Sequence, residues 1–225
     1  GIDIDDPVIQ FAVADLSGTI IEYWSVPNVT KDYSTIVEQL IDQIIAGKQH
    51  YADSTYGLIS VNISVHGTVN IDGTIDFIPK LNWKNKDLKN DLEKQLDIDV
   101  TIGNHANLST YAEKVYQHPY DNLLHMNLTS GVGIGVIIED KLHTGFSGHA
   151  GEVGHMILYP EGKECPCGNR GCLELYASEP AFLNKIAERL NQPDLTMEDI
   201  KQLIRDRDER TFGLLSVFLD NVAIG

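Results

Sequence analysis

The chain has 225 residues, 42% of them hydrophobic and 22% charged, a globular balance with enough length for one large domain or two lobes that each bury a core. Its formal net charge of −16 repels a phosphate backbone, which makes this segment a poor candidate for touching nucleic acid by itself. No apolar run is long enough to span a membrane, and the first residues do not read as a secretory leader, so a cytoplasmic protein without membrane contacts is expected.

In chain order, VIQFAVAD and TIIEYWSV are β-prone runs joined by a turn at Leu16–Gly18, a hairpin-like start. Ile36, Val37, Leu40, Ile41, Ile44 and Ile45 then fall at helical spacing over 31–47, with Gly47 as the expected stop. GLISVNISV at 57–65 suits a central strand, and GTVNIDGTIDFI reads as a tight hairpin about its Asp-Gly pair. Leu88, Leu92 and Leu96 mark a second helix, IDVTI a buried strand, and 106–117 a third helix. NLLHMNLT and VGIGVIIED read as paired strands. After the cysteine region, Pro180 fits the first turn of a helix, and Thr196 with Asp199 makes a capping-box pattern for the next. A last helix carries Phe212, Leu215, Leu219 and Val222 on one face. The expectation is an α/β protein in two lobes, 1–118 and 119–225.

The stretch GHAGEVGHMILYPEGKECPCGNRGCLE, residues 148–174, holds every cysteine in the chain. Three cysteines cannot form a disulfide framework, and without an export signal they read as thiolate ligands in a reducing cytosol. Cys165, Cys167 and Cys172 offer three sulfurs and His155 could add a nitrogen, a set that suits four-coordinate zinc. The C-x-C spacing is tighter than the usual zinc pattern, and the other reading is three buried thiols beside a core histidine.

GEVGH followed by CPCGNRGCLE resembles the motif of the ROK family, which groups bacterial sugar kinases with sugar-responsive transcriptional repressors. SVHGTVNIDGTI and PKLNW loosely resemble two further family stretches; NHAN sits where the kinases carry N-D-A-N, and SGVGIGVIIEDKLHTG where they carry a glycine-rich phosphate segment. The resemblance covers residues 1 to about 180. It implies an actin-like (ribonuclease H-like) two-lobed fold and a structural zinc in the loop 155–172, bound by His155, Cys165, Cys167 and Cys172. It also implies a sugar held by Asn104, His105, Glu152, His155 and Glu174, with carboxylates as strong directed acceptors. His155 would place one ring nitrogen on zinc and turn the other to the sugar.

Three departures separate the chain from a kinase of this family. His105 stands where the kinases carry the Asp that takes a proton from the attacking hydroxyl. The phosphate loop D-x-G-G-T reads DIDDP, in which Asp3 remains while Asp5, Asp6 and Pro7 replace Gly, Gly and Thr. Proline has no N–H to offer a phosphate, and two carboxylates repel one. Val132 replaces the Thr of G-T-G. Phosphoryl transfer depends on positioning and charge neutralisation, so these losses predict no turnover and no bound nucleotide. The expected function is the effector domain of a repressor resembling the family's xylose-operon repressors, sensing xylose or a related sugar as a homodimer. A DNA-binding winged helix-turn-helix is expected upstream of Gly1 and a further strand–helix portion beyond Gly225, with operator DNA reached only through the former. The competing expectation is a divergent sugar kinase with His105 as base, transferring phosphate from ATP to a hexose.

Overall fold

A computed structural model describes residues 1–225. It divides into two compact units, residues 1–123 with 136–150, and residues 124–135 with 151–225.

The first unit opens with β1 (Ile2–Ile4), β2 (Val8–Ala14) and β3 (Ile20–Pro27), an antiparallel meander. The β2–β3 turn is set by Asp15, whose Oδ1 accepts the N–H groups of Ser17 and Thr19 at 2.8 and 3.0 Å. α1 (Tyr33–His50) follows, capped by Asp32, whose carboxylate accepts the Thr35 N–H at 2.9 Å. The helix does not stop at the expected Gly47 but runs three residues further. An interior glycine costs a helix only about 1 kcal/mol, and in the added turn Lys48 Nζ donates to the Asp97 carbonyl at 2.8 Å.

β4 (Ser60–Val65) leads into the hairpin of β5 (Thr68–Val69) and β6 (Ile75–Ile78), with β7 (Trp83–Lys86) completing a small antiparallel sheet in the order β5-β6-β7. α2 (Leu88–Glu93), β8 (Asp99–Asn104) and α3 (His105–Tyr116) follow. Leu96 is buried as its spacing suggests but lies beyond the end of α2.

The main sheet has the order β3-β2-β1-β4-β8, so β4 is an interior strand, flanked by β1 and β8, which agrees with its apolar run. β1, β4 and β8 run parallel, with Asp3 beside Ser64, Ile4 beside Val65, and Val65 beside Asn104. Side chains alternate across a strand, so Ile2, Ile4, Val61, Ile63, Val65, Val100 and Ile102 bury one face. That face shares a core with Ile36, Val37, Leu40 and Ile44 of α1 and Leu88 and Leu92 of α2. The opposite register positions are polar: Asp3, Asn62, Ser64 and Thr101.

β9 (Leu123–Leu128), β10 (Val132–Ile138) and β11 (Lys141–Leu142) form a three-stranded sheet in the order β11-β10-β9, which realises the expected strand pair. In the second unit a 3-10 turn (Val153–His155) precedes the cysteine loop, and α4 (Glu174–Ala177) leads into α5 (Glu179–Leu190). Pro180 lies in the first turn of α5, and Ser178 Oγ accepts the Ala181 N–H at 3.3 Å. α6 (Met197–Arg205) begins with the expected capping box of Thr196 and Asp199, and α7 (Glu209–Ile224) ends the chain.

The packed face of α7 matches the expected one in part: Leu215 and Val222 pack against the cores. Phe212 and Leu219 are exposed, Thr211 and Asn221 are buried, and Leu214, Leu215 and Phe218 pack with Phe182, Ile186 and Ile200. The segment TFGLLSVFLDNV is apolar around most of its circumference, so the spacing fits two overlapping stripes and packing against α5 and α6 selects one. No helix is long and apolar enough to cross a membrane.

Candidate functional site

The cysteine loop is folded by its own backbone before any ligand is considered. Ile157 pairs with Cys172 and Glu164 with Arg170 in isolated bridges, so two arms run antiparallel. The Leu158 N–H donates to the Gly171 carbonyl at 2.8 Å, and the Gly171 N–H to the Lys163 carbonyl at 2.8 Å. A tight turn, with the Gly168 N–H donating to the Cys165 carbonyl at 2.9 Å, reverses the chain between the sulfurs. Tyr159 and Tyr176 brace the base of the loop edge to face, and the Tyr159 hydroxyl donates to Asn221 Oδ1 of α7 at 2.6 Å.

These constraints bring His155, Cys165, Cys167 and Cys172 together, with one donor atom from each within 4.8 Å of the others. Cys167 Sγ lies 3.6 Å from Cys172 Sγ, and Cys165 Sγ lies 3.7 Å from His155 Nδ1. Ligands held by one tetrahedral zinc at about 2.3 Å for sulfur and about 2.0 Å for nitrogen lie about 3.8 Å apart S to S and about 3.5 Å S to N. The donor set therefore fits a structural zinc in both chemistry and spacing. Burial pushes the Cys165 and Cys172 thiols above their ordinary range, so a metal bound there displaces protons from them.

Two expected sugar ligands flank the same imidazole. Glu174 Oε1 is 3.6 Å from His155 Nδ1 and 3.4 Å from Cys165 Sγ, while Glu152 Oε2 lies 3.9 Å from His155 Nε2. His155 thus turns Nδ1 toward the cysteines and Nε2 toward Glu152. Val132 is buried with Leu173 and Ala177 in the core of this unit, which makes it a packing residue.

The first unit carries a second cluster, of which sequence reasoning identified only parts. Asp3 accepts two histidines: His66 Nε2 at 3.3 Å from Oδ2, and His105 Nδ1 at 3.3 Å from Oδ1. His105 Nδ1 also lies 3.1 Å from Ser64 Oγ, and the two imidazole rings stack with centroids 4.0 Å apart. Burial opposes ionisation of Asp3, but bonds from His105, His66 and Ser64 outweigh it and hold the carboxyl well below the usual range. The register explains the meeting: β1, β4 and β8 are parallel neighbours, and these residues lie at or just beyond their C-terminal ends. His66 stood inside the quoted stretch SVHGTV without an assigned role. Its signal was one residue beyond an alternating strand, the same place that His105 holds after β8.

Asn104 is the N-cap of α3, its Oδ1 accepting the Asn107 N–H at 3.1 Å while its Nδ2 donates to the Gly67 carbonyl at 2.9 Å. The carboxylates of Asp5 and Asp6 are less repulsive to an anion than their charge implied, because both are paired with lysines. Lys80 Nζ lies 2.9 Å from Asp5, and Lys31 Nζ lies 3.6 Å from Asp6. Pro7 still has no N–H, and its carbonyl accepts the Asn28 N–H at 2.7 Å.

Residues 1–225 match the model of the ROK family. The xylose repressor of Bacillus subtilis (strain 168) is 38% identical over 233 residues, spanning 100% of this chain and 59% of the repressor. A glucokinase of Streptomyces coelicolor is 31% identical over 85% of this chain and 59% of the enzyme. The chain thus spans 59% of the length of these curated relatives. Among solved structures, a ROK glucokinase from Streptomyces griseus in complex with glucose and AMPPNP superposes with a TM-score of 0.85 at 25% identity, covering 97% of this chain and 74% of that one. A ROK transcriptional regulator, a homologue of the E. coli MLC protein, gives a TM-score of 0.85 at 24% identity, covering 98% and 59%. The mixed α/β fold is therefore the actin-like one of the ROK sugar kinases, as the motifs implied.

Proposed function

The chain belongs to the ROK family, and we propose that it is the sugar-sensing part of a transcriptional repressor of that family, with xylose or a related sugar as effector. The observation that carries this reading is the state of the DIDDP–His105 region. Where a ROK kinase needs a phosphate cradle and a free carboxylate base, this chain has Pro7, two lysine-paired aspartates, and an imidazole tied to Asp3 and Ser64. Whole-chain similarity to a xylose repressor supports the same reading.

In this proposal Asn104, His105, Glu152, His155 and Glu174 bind the sugar. His155, Cys165, Cys167 and Cys172 would hold a structural zinc, whose four protein ligands leave no open position for catalysis. The loop that carries those ligands then fixes Glu174, which sits 3.4 Å from Cys165 Sγ, and the ring plane of His155. A cytoplasmic homodimer that reaches operator DNA through a separate winged helix-turn-helix completes the proposal. The charge of −16 agrees that this segment is not the DNA-contacting one. A sugar can shift such a repressor only through different affinities for its two conformations.

The test is calorimetry against D-xylose, D-glucose and an ATP analogue, with a coupled assay for sugar phosphate using ATP and both sugars. A saturable sugar isotherm, no nucleotide isotherm and no sugar phosphate are expected. Clear formation of sugar phosphate would overturn the proposal in favour of a divergent kinase using His105 as base.

A further inference from the structure

We propose that Asp3, His66 and His105 form a second metal site, separate from the cysteine loop, that takes a first-row divalent transition ion. One ligand atom of each lies within 4.8 Å of the others. All three residues belong to the first unit, on neighbouring parallel strands or directly after them. The inference does not depend on the repressor reading, since the cluster would bind an ion equally in a sensor or an enzyme.

The imidazole–carboxylate contacts are long for charge-assisted hydrogen bonds and short enough for one ion to bridge. Charge-assisted N–H···O⁻ bonds lie at about 2.7–2.9 Å, and the molecule shows one in His149 Nε2 with Asp76 at 2.7 Å. Both imidazoles instead stand 3.3 Å from the Asp3 oxygens. Ligand atoms bound to one ion at about 2.1 Å are separated by about 3.0 Å at right angles and about 3.4 Å at the tetrahedral angle. The two separations, 3.3 Å each, fall inside that interval and run to different oxygens, so an ion between the imidazoles would be held by both oxygens of Asp3. Two imidazoles and one carboxylate also form a donor set typical of transition metals, whereas magnesium and calcium call for oxygens.

The surrounding charge suits a dication. Asp3, Asp5 and Asp6 supply three negative charges, and Lys80 and Lys31 offset two of them through their ion pairs with Asp5 and Asp6. Asp3 has no lysine partner within ion-pair distance and faces only the histidines and Ser64. Asp5 is held by Lys80 at 2.9 Å and is therefore not counted as a ligand, although its Oδ2 approaches His66 Nε2 to 3.8 Å. All three proposed ligands are partly exposed, so an ion can enter and keep positions open to solvent or to a small oxygen ligand.

The experiment uses the protein as purified, with the cysteine loop left in its native metal state, titrated with Zn²⁺ by calorimetry and with Co²⁺ by absorption spectroscopy. One further equivalent is expected, and its cobalt spectrum should lack the near-ultraviolet thiolate charge-transfer band that a cysteine-bound ion would add. His66→Gln and His105→Gln should each weaken this equivalent by about tenfold or more, while His149→Gln, outside the cluster, leaves it unchanged. If both variants unfold, the wild-type stoichiometry and spectrum decide the matter alone. The absence of a thiolate-free equivalent in the wild type, or one retained at full affinity by folded His66→Gln and His105→Gln, would overturn the proposal.

Discussion

Gly171 shows how a single backbone position governs the cysteine loop. Its φ of +78° lies in the left-handed region, and a Cβ built there would come within 1.7 Å of the Tyr159 carbonyl oxygen. Gly171→Ala should therefore destabilise the protein by about 2 kcal/mol or more. It should also lower the metal content of the loop, because Cys172 is the next residue. Urea denaturation combined with metal analysis checks both, and a variant of wild-type stability and full metal content would refute this account. At this scale the sequence was uneven in what it disclosed. The four proposed knot ligands were legible because His155, Cys165, Cys167 and Cys172 lie within one short segment, where turns alone can gather them. Asn104 was read only as a sugar ligand, and its capping of α3 went unseen although its place directly before the helical segment is an N-cap signal. His66 was missed because its partners stand 63 and 39 positions away, and only the sheet order brings them together.

Helix starts were the most legible elements, since their signals are local. Thr196 and Asp199 satisfy each other across the first turn of α6: the Thr196 N–H donates to Asp199 Oδ2 at 2.9 Å, and the Asp199 N–H to Thr196 Oγ1 at 3.2 Å. Thr196→Ala should cost about 1 kcal/mol, and Thr196→Ser much less, because serine keeps the capping oxygen. Denaturant midpoints measured at an unchanged slope would show this order, and equal losses in the two variants would contradict it. Faces were harder to read than starts. α7 was recognised as a helix, but periodicity could not choose between its two apolar stripes, and contacts with Phe182, Ile186 and Ile200 made the choice. α1 likewise runs past the local stop signal of Gly47, since one interior glycine costs a helix too little to end it.

The two units differ in how much apolar core supports them. The core of the first gathers 21 buried hydrophobic residues from the main sheet, the small sheet, α1 and α2, whereas the cluster beside the cysteine loop gathers only Val132, Leu173 and Ala177. The second unit has another core among α5, α6 and α7, built on Phe182, Ile186 and Ile200, so the poorly supported region is the one beside the cysteine loop. The alternating apolar positions of β1, β4 and β8 made the larger core readable from sequence. The small one could not be read, because the order around it rests on backbone bridges within the cysteine loop. If the proposed zinc cross-links the loop, the consequence is a local response to its removal. Treatment with a strong chelator should raise amide hydrogen exchange across residues 153–173 while β1, β4 and β8 stay protected, since the loop loses its cross-link and the sheet loses none of its core. Calorimetry on the same sample should show weaker sugar binding, because Glu174 and His155 lose their anchor. Exchange that is unchanged in the loop after complete metal removal would refute the structural role of the ion. Uniform deprotection of the main sheet would instead show that the stability of the first unit is coupled to the loop.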